Sequence, residues 1–428
     1  MRAKGEIVAS VDFGSREVRV IVARKDDDGT IQVVGHGIAP GHGSISQGVI
    51  QDLNVAQGAL KQAIVMAELE SRVRITSLFC AINGKNVETL IREGNVKLER
   101  ETVEQSHMDE ALDIASRDVL EAGKRVVSSI SAQEWYVDDM RVVDPTGIRG
   151  HVLKTRAHFA RIPSVIEENL VHCIESQRRE LEDIVFAPIA SSLGCLTPED
   201  TELGVAVLDL GRTTTGLAVY RDRRILGTHS FDWGGYHLTR DVSAGLHVSF
   251  EEADELILAY GVSEEYIETE DQDMAIGEIP RFRLNSKAQI KLKSAVHGAR
   301  TIVPREELGM IIHERARELM TKVRQYLHSR GLVKHLIRGV VITGGGARIK
   351  NYAKLAEVVF QVPCRVGVPT SMDILPPAAR AADFSCAVGI ARHGFEFRAL
   401  ERHGHLRPQG PITRGIRKVN GVIKKYFF

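Results

Sequence analysis

Long apolar runs are missing from this sequence. No stretch approaches the roughly 18 apolar residues that a membrane-spanning helix needs, so the body of the chain reads as soluble. No secretory leader is expected, because Arg2 and Lys4 run into strand-like text interrupted by Asp12 instead of an apolar core. Cysteine is sparse: Cys80, Cys173, Cys195, Cys364 and Cys386 are scattered, odd in number and form no C-x-x-C. That pattern excludes a disulfide framework or zinc site and points to reduced thiols in a cytosol. Neither sign of charge prevails, with Lys+Arg and Asp+Glu both at 56, so composition indicates no nucleic-acid partner and charged partners must be met locally. Aromatic residues are only 5% of the chain, which argues against a surface for stacking bases or sugars. The 428 residues present suffice for two or more domains with ample cores.

What is there is organised around residues 204–220, GVAVLDLGRTTTGLAVY. Val205, Val207 and Leu208 lead into Asp209, and Leu217, Val219 and Tyr220 lead away with strand alternation. Between them, Gly211-Arg212-Thr213-Thr214-Thr215-Gly216 is a turn rich in backbone N–H groups and hydroxyls. Successive amides of this kind form an anion-binding concavity, although a Gly/Thr turn also serves as an ordinary hairpin. The plan occurs twice. Residues 7–22, IVASVDFGSREVRVIV, repeat it without a gap, Asp12 aligning with Asp209 and Gly14 with Gly211, and a polar turn follows through Ser15 and Arg16. Such a duplication predicts two similar lobes facing each other. An aspartate before the glycine, Asp12 or Asp209, is what a phosphate-bound Mg²⁺ requires, often through water.

Along the chain, strands are expected at 31–37 and 77–82 and a helix over 53–70, whose buried face is Leu53, Ala56, Ala59, Leu60, Ala63, Ile64 and Ala67. Residues 82–162 change character: charged helical text at 103–124, then strand-like segments at 126–130, 134–137 and 151–161, with a DPTG turn at 144–147. This is an inserted α+β subdomain. Ser164 then caps a helix, and a strand at 184–187 and a helix at 188–196 complete the first lobe. In the second lobe, helices are expected at 249–259 and 306–327, with an acidic stretch at 268–274 between them. GVVITGGGARIKN, 339–351, reads as strand 340–342, a turn of Gly344, Gly345 and Gly346, and a helix from Ile349. A glycine run there admits a ligand close to the backbone or makes a tight helix–sheet connection. The expected divisions are a first lobe core at 6–81 and 163–201, the insert at 82–162, and a second lobe core at 202–238 and 338–395 with an outer subdomain at 239–337. A linker at 396–410 and a terminal helix at 411–428 follow; His403-x-His405 lacks further metal ligands nearby.

The last segment, PITRGIRKVNGVIKKYFF, has no acidic residue. At 3.6 residues per turn, Ile412, Ile416, Val419, Ile423, Tyr426 and Phe427 share one face, and Arg414, Arg417, Lys418, Lys424 and Lys425 take the other. That pattern fits a helix lying in a membrane interface among anionic lipids, or a terminal helix docked on a protein surface. Each cation near the bilayer is worth about 1 kcal/mol, and each buried large apolar side chain roughly 1.5–3 kcal/mol. Gly415 and Gly421 each cost about 1 kcal/mol of helicity, so this segment is expected to fold on lipid rather than in water.

Two Asp-x-Gly hairpins half a chain apart, followed by strand–TGGG–helix, resemble the actin/DnaK-chaperone/sugar-kinase superfamily. Within it ELGVAVLDLG, WGGYHLTRDV (233–242), VVITGGGARI and the insert after LFCAINGKNV (78–87) resemble the FtsA family of actin-like bacterial cell-division proteins, over nearly the whole chain. The resemblance implies a two-lobed actin-like α/β fold that binds ATP and Mg²⁺. The first phosphate loop would be Asp12, Gly14, Ser15 and Arg16, and the second Asp209, Gly211, Arg212, Thr213 and Thr214. Gly234 and Gly235 would also belong to the nucleotide site, and Gly344, Gly345 and Gly346 would form the adenosine segment. It also implies self-association into filaments, contact with later division proteins, and docking of the FtsZ C-terminal tail on IIHERARELM (311–320) through Arg315. The tail would hold the protein on the cytoplasmic face of the inner membrane at the septum. Two departures stand out: Arg212 and Thr213 replace consecutive glycines, and Ile257 replaces a lysine that reaches adenosine. Arg212 either narrows the room for phosphate or places its guanidinium on one. No glutamine or aspartate reads as a water-positioning residue, so the resemblance does not extend to hydrolysis. A small-molecule kinase and a type IV pilus assembly adaptor are alternatives on the same fold.

Overall fold

The computed structural model describes residues 5–99, 102–119, 121–264, 266–267, 288–293 and 300–402. The acidic stretch 268–274, His403-x-His405 and the terminal segment 411–428 lie outside the described residues.

The first hairpin forms as the alternation predicts. β1 (Gly5–Phe13) pairs antiparallel with β2 (Glu17–Asp26), and β3 (Ile31–Pro40) extends the meander. Two short strands, β4 (Ile45–Ser46) and β5 (Val49–Ile50), lead to α1 (Leu53–Ser71). Asp52 caps α1, its carboxylate accepting from the Val55 N–H at 3.1 Å. The face of α1 built from Ala56, Ala59, Leu60, Ala63, Ile64 and Ala67 is buried, as its spacing predicts. β6 (Ser77–Ile82) then returns parallel to β1.

The insert comprises β7 (Glu88–Lys97), α2 (Gln105–Ser116), β8 (Lys124–Val137), β9 (Met140–Val142) and β10 (Val152–Pro163), with sheet order β7-β10-β8-β9. The charged text at 103–124 holds a shorter helix than expected, and 126–130 and 134–137 belong to one strand. β7 gave no sequence signal because its side chains are mostly polar and part-exposed. In α3 (Ser164–Glu175) the cap position falls on Pro163, so Ser164 is the first helical residue and not the cap. β11 (Glu180–Phe186) completes a five-stranded sheet, β11-β6-β1-β2-β3, followed by α4 (Ala187–Cys195) and α5 (Pro198–Leu203).

The second lobe repeats this plan: β12 (Val205–Leu210), β13 (Thr215–Arg221) and β14 (Arg224–Phe231) form a meander, then α6 (Gly235–Leu246) and α7 (Phe250–Tyr260) follow. β15 (Gln289–Lys291) and β16 (Ile302–Pro304) pair ahead of the long α8 (Arg305–Ser329). β17 (Val340–Thr343), α9 (Tyr352–Phe360), β18 (Cys364–Val366) and α10 (Ser385–Arg402) end the described chain. α9 begins three residues after the expected Ile349, because residues 345–348 make a 3-10 turn. α10 runs through residues 396–402, where a linker was expected; Phe395, Phe397 and Ala399 are buried and hold it.

Strand alternation divides the second-lobe sheet, β14-β13-β12-β17-β18, between two cores. Val205, Val207, Ala218, Tyr220 and Val341 join the core shared with the first lobe, whereas Ala206, Leu208, Leu217, Val219 and Ile342 face the other way, toward α6, α7 and α8. Both faces are covered, which explains the near-continuous apolar run. Between the lobes α4 and α10 cross in close contact. A Cβ on Gly389 would lie 1.7 Å from the Ala190 carbonyl oxygen, and one on Gly194 2.1 Å from that of Ser385. Neither position admits a side chain.

Candidate functional site at the facing hairpins

β1 and β12 each deliver an aspartate to the space in front of α10. Alternation aims Asp12 to the same side as Ser10, whose Oγ donates to the Ala387 carbonyl of α10 at 2.8 Å. It aims Asp209 to the same side as Val207, toward α4, where Ser191 donates its Oγ to Asp209 Oδ2 at 2.6 Å. Burial lifts the Asp209 carboxyl to about 6; the charge of Asp12 adds to this, and the Ser191 hydrogen bond opposes it. Asp12 keeps part of its surface open to the cleft, yet the protein around it also lifts its carboxyl, against the pull of Arg19. Arg19, opposite Asp12 on β2, donates to Asp383 Oδ2 at 3.0 Å and Glu17 Oε2 at 2.5 Å. Two neighbouring carboxyl groups facing one cleft are hard oxygen donors, a set that suits a hydrated divalent cation.

The two turns then close on each other. Gly211 donates its N–H to the Thr214 carbonyl at 2.9 Å, and the first amides of α6 bind the loop from behind, Gly235 N–H to Gly211 O at 3.0 Å and Tyr236 N–H to Arg212 O at 2.7 Å. Gly234 permits this contact, since a Cβ there would stand 2.5 Å from the Gly211 oxygen. Across the gap Ser15 Oγ and Thr213 Oγ1 are hydrogen-bonded at 2.8 Å, Gln47 N–H donates to Thr213 Oγ1 at 3.0 Å, and Asn83 Nδ2 donates to Thr214 Oγ1 at 3.3 Å. Gly344 has φ +80° and packs so tightly that a Cβ would meet Asp209 Oδ1 at 2.3 Å. Gly345 has no atom within 4 Å of a would-be Cβ, which leaves the backbone accessible there.

A cleft of about 1430 Å³, counting its opening to solvent, runs between these elements. Asp12, Gly14, Ser15, Arg16, Asp209, Gly211, Arg212, Thr214, Gly235, Gly344, Gly345 and Gly346 all line it, as does Ile257. Thr213 meets it through Ser15, and Gly234 lies behind the second turn. Sequence reasoning missed Arg19, Asn83, Ser191, Thr239, Asp254, Asp383 and Cys386. Of these, Arg19 alone had a signal, its cross-strand position to Asp12. Arg212 does not point a free guanidinium into the cleft: it donates to Asp254 Oδ2 at 2.8 Å and lies over the Tyr236 ring.

Arg315 does not line this cleft. On α8 it pairs with Asp241 of α6 and with Glu318 Oε2, the latter at 2.6 Å, and is only part-exposed. Among the described residues no group of three or more His, Cys, Asp or Glu gathers as a metal cage, and no helix is long and apolar enough to cross a membrane.

Solved structures share this architecture. The PilM–PilN type IV pilus biogenesis complex matches with TM-score 0.64 at 13% identity, over 90% of this chain and 98% of that one. MreB5 of Spiroplasma citri bound to AMPPNP matches with TM-score 0.53 at 14% identity, over 94% and 99%. At such identities the likeness shows the fold, and the fold is the two-lobed actin-like α/β fold, with an inserted α+β subdomain. Residues 206–389 match the family model of the cell division protein FtsA, and residues 84–160 that of the SHS2 domain inserted in FtsA. FtsA of Neisseria meningitidis serogroup B is 29% identical over 392 residues, 91% of this chain and 90% of that protein. FtsA of Escherichia coli K12 is 26% identical over 425 residues, 99% and 98%. The chain belongs to the FtsA family of cell division proteins.

Proposed function

We propose that this protein binds ATP in the cleft and works as a non-catalytic, filament-forming adaptor that tethers FtsZ to the cytoplasmic face of the inner membrane at the division septum. The observation that carries the reading is the convergence of both hairpin turns on one cleft, with Asp12 and Asp209 behind them and the open backbone of Gly345 at its side. In such a cleft backbone amides and hydroxyls of the turns hold phosphates, and the two aspartates hold Mg²⁺ through water. A nucleotide between two lobes acts as a bridging ligand and fixes their relative angle. The same fold in MreB5 of Spiroplasma citri was solved with AMPPNP bound, which supports a nucleotide here.

The basic, apolar-faced segment 411–428 supplies the membrane contact, with Ile412, Ile416, Val419, Ile423 and Phe427 in the acyl boundary and Arg417, Lys418, Lys424 and Lys425 among headgroups. Filament formation gathers many weak tails into one avid attachment. Arg315 receives the FtsZ tail and exchanges Asp241 and Glu318 for a carboxylate of the peptide. Later division proteins bind the same membrane-held assembly. Co-sedimentation with vesicles containing anionic lipid tests the anchor: the full chain pellets and the chain ending at residue 410 stays in solution. Equal pelleting of both removes the membrane arm. Titration with an FtsZ C-terminal peptide tests the partner, and Arg315→Glu is expected to weaken binding at least tenfold.

A further inference from the structure

The two turns that face each other across the cleft are bonded directly to one another. Ser15 and Thr213 share a hydrogen bond of 2.8 Å, and the Gln47 amide adds a second bond to the same Thr213 hydroxyl at 3.0 Å. Two hydroxyls in direct contact leave no room for a phosphate between them. A second tie lies alongside. Asp254 of α7 receives Arg212 at 2.8 Å from the second turn, Arg16 at 3.8 Å from the first, and Thr239 at 2.5 Å from α6. One carboxylate thus bridges a guanidinium from each turn at this end of the cleft, and Thr213 fills the space between the turns. Both Arg212 and Thr213 stand where a loop of bare glycines would contribute neither a hydroxyl nor a charge.

We propose that Thr213, backed by the Arg16–Asp254–Arg212 bridge, is a specificity-determining latch that takes the position of the terminal phosphate. The inference rests on the nucleotide reading of the cleft. With the latch shut, Asp12, Asp209 and the glycines of 344–346 still line the open part of the cleft, the part left to a nucleoside diphosphate. A nucleoside triphosphate requires Ser15 and Thr213 to separate, and its terminal phosphate draws Arg16 and Arg212 away from Asp254. The protein therefore discriminates ATP from ADP through breakage of its own cross-lobe bonds, and lobe separation at this end depends on the third phosphate.

The test is the ratio of ATP to ADP affinity, measured on the full chain by titration with N-methylanthraniloyl-ATP and -ADP in Mg²⁺. Thr213→Gly removes two hydrogen bonds and the bulk between the turns, so the ratio is expected to shift about tenfold toward ATP. Thr213→Ala, which keeps the backbone restraint, shifts it in the same direction. Asp254→Asn keeps an acceptor for Thr239 but frees both arginines, and moves the ratio about threefold toward ATP with a steeper salt dependence. Ratios within twofold of the unsubstituted protein in all three, with both nucleotides binding, overturn the latch and leave the nucleotide reading standing. Failure of either nucleotide to bind any form, including the unsubstituted one, overturns both.

Discussion

Asp209 is a buried carboxyl whose charge costs stability, and Asp209→Asn makes that cost measurable. Its carboxyl ordinarily titrates at 3.8 and in the folded protein at about 6, because burial penalises the charged form. A carboxyl raised on folding binds its proton more tightly in the native state than in the unfolded one. Between these two values the native state holds more protons, so stability falls as pH rises through that window and stays reduced above it. A shift of about two units corresponds to roughly 3 kcal/mol at pH 8 and about 1 kcal/mol at pH 4.5. Asparagine removes the charge, fits the same space and still accepts the Ser191 hydrogen bond. The substituted protein should therefore melt roughly 3 °C higher at pH 8 and about 1 °C higher at pH 4.5, given the unfolding entropy expected for a chain of this length. Paired thermal melts at the two pH values provide the assay, and Mg²⁺-dependent nucleotide affinity should fall in the same protein. An equal gain at both pH values, or a loss at pH 8, would refute the assignment of the cost to a buried charge.

Gly344→Ala forces a side chain into a left-handed conformation and against Asp209 Oδ1; a loss of about 3 kcal/mol is expected, seen as a lowered melting temperature. Gly345→Ala, with no atom within 4 Å of its Cβ, should leave the melt unchanged while weakening nucleotide affinity. His158 is buried where the insert meets β14, with Nε2 at 2.8 Å from Thr228 Oγ1, and burial lowers its pKa from 6.5 to about 4. Its unfolded form binds a proton first, so stability is lost as pH falls from 6.5 toward 4, by roughly 3 kcal/mol in full. His158→Gln should remove that component, giving a shallower fall of melting temperature over this range than in the unsubstituted protein.

Much of this architecture was legible because local pattern and tertiary role coincide. A strand buried on one face announces itself by alternation, as β3 does, the continuous apolar runs of β1 and β2 mark strands covered on both faces, and the apolar stripe of α1 has the period of its helix. The repeated Asp-x-Gly hairpins are legible for a different reason: a duplicated unit exposes its own alignment, which pairs Asp12 with Asp209. β7 was not legible, because its polar, part-exposed side chains blur the alternation. The end of α10 was missed because its stabilisation comes from Phe395 and Phe397 packing into a distant core, while the local text is rich in arginine and histidine.

The sequence by itself determined two matching lobes, an insert between strands of the first, three loops with the composition of a phosphate cleft, and a basic amphipathic end. It could do so because hydrogen-bonding geometry and side-chain period are local, and each leaves its mark within ten or twenty residues. Tertiary structure alone decided which side chains meet in the cleft. Ser191 reaches Asp209 only because α4 lies between the two sheets, Arg19 reaches Asp383 across more than three hundred residues, and Arg212 turns to Asp254 instead of the open cleft. Those pairings depend on how layers stack and on how far a charge can be carried from water before it must find a partner. Neither quantity is written in any short stretch of the chain.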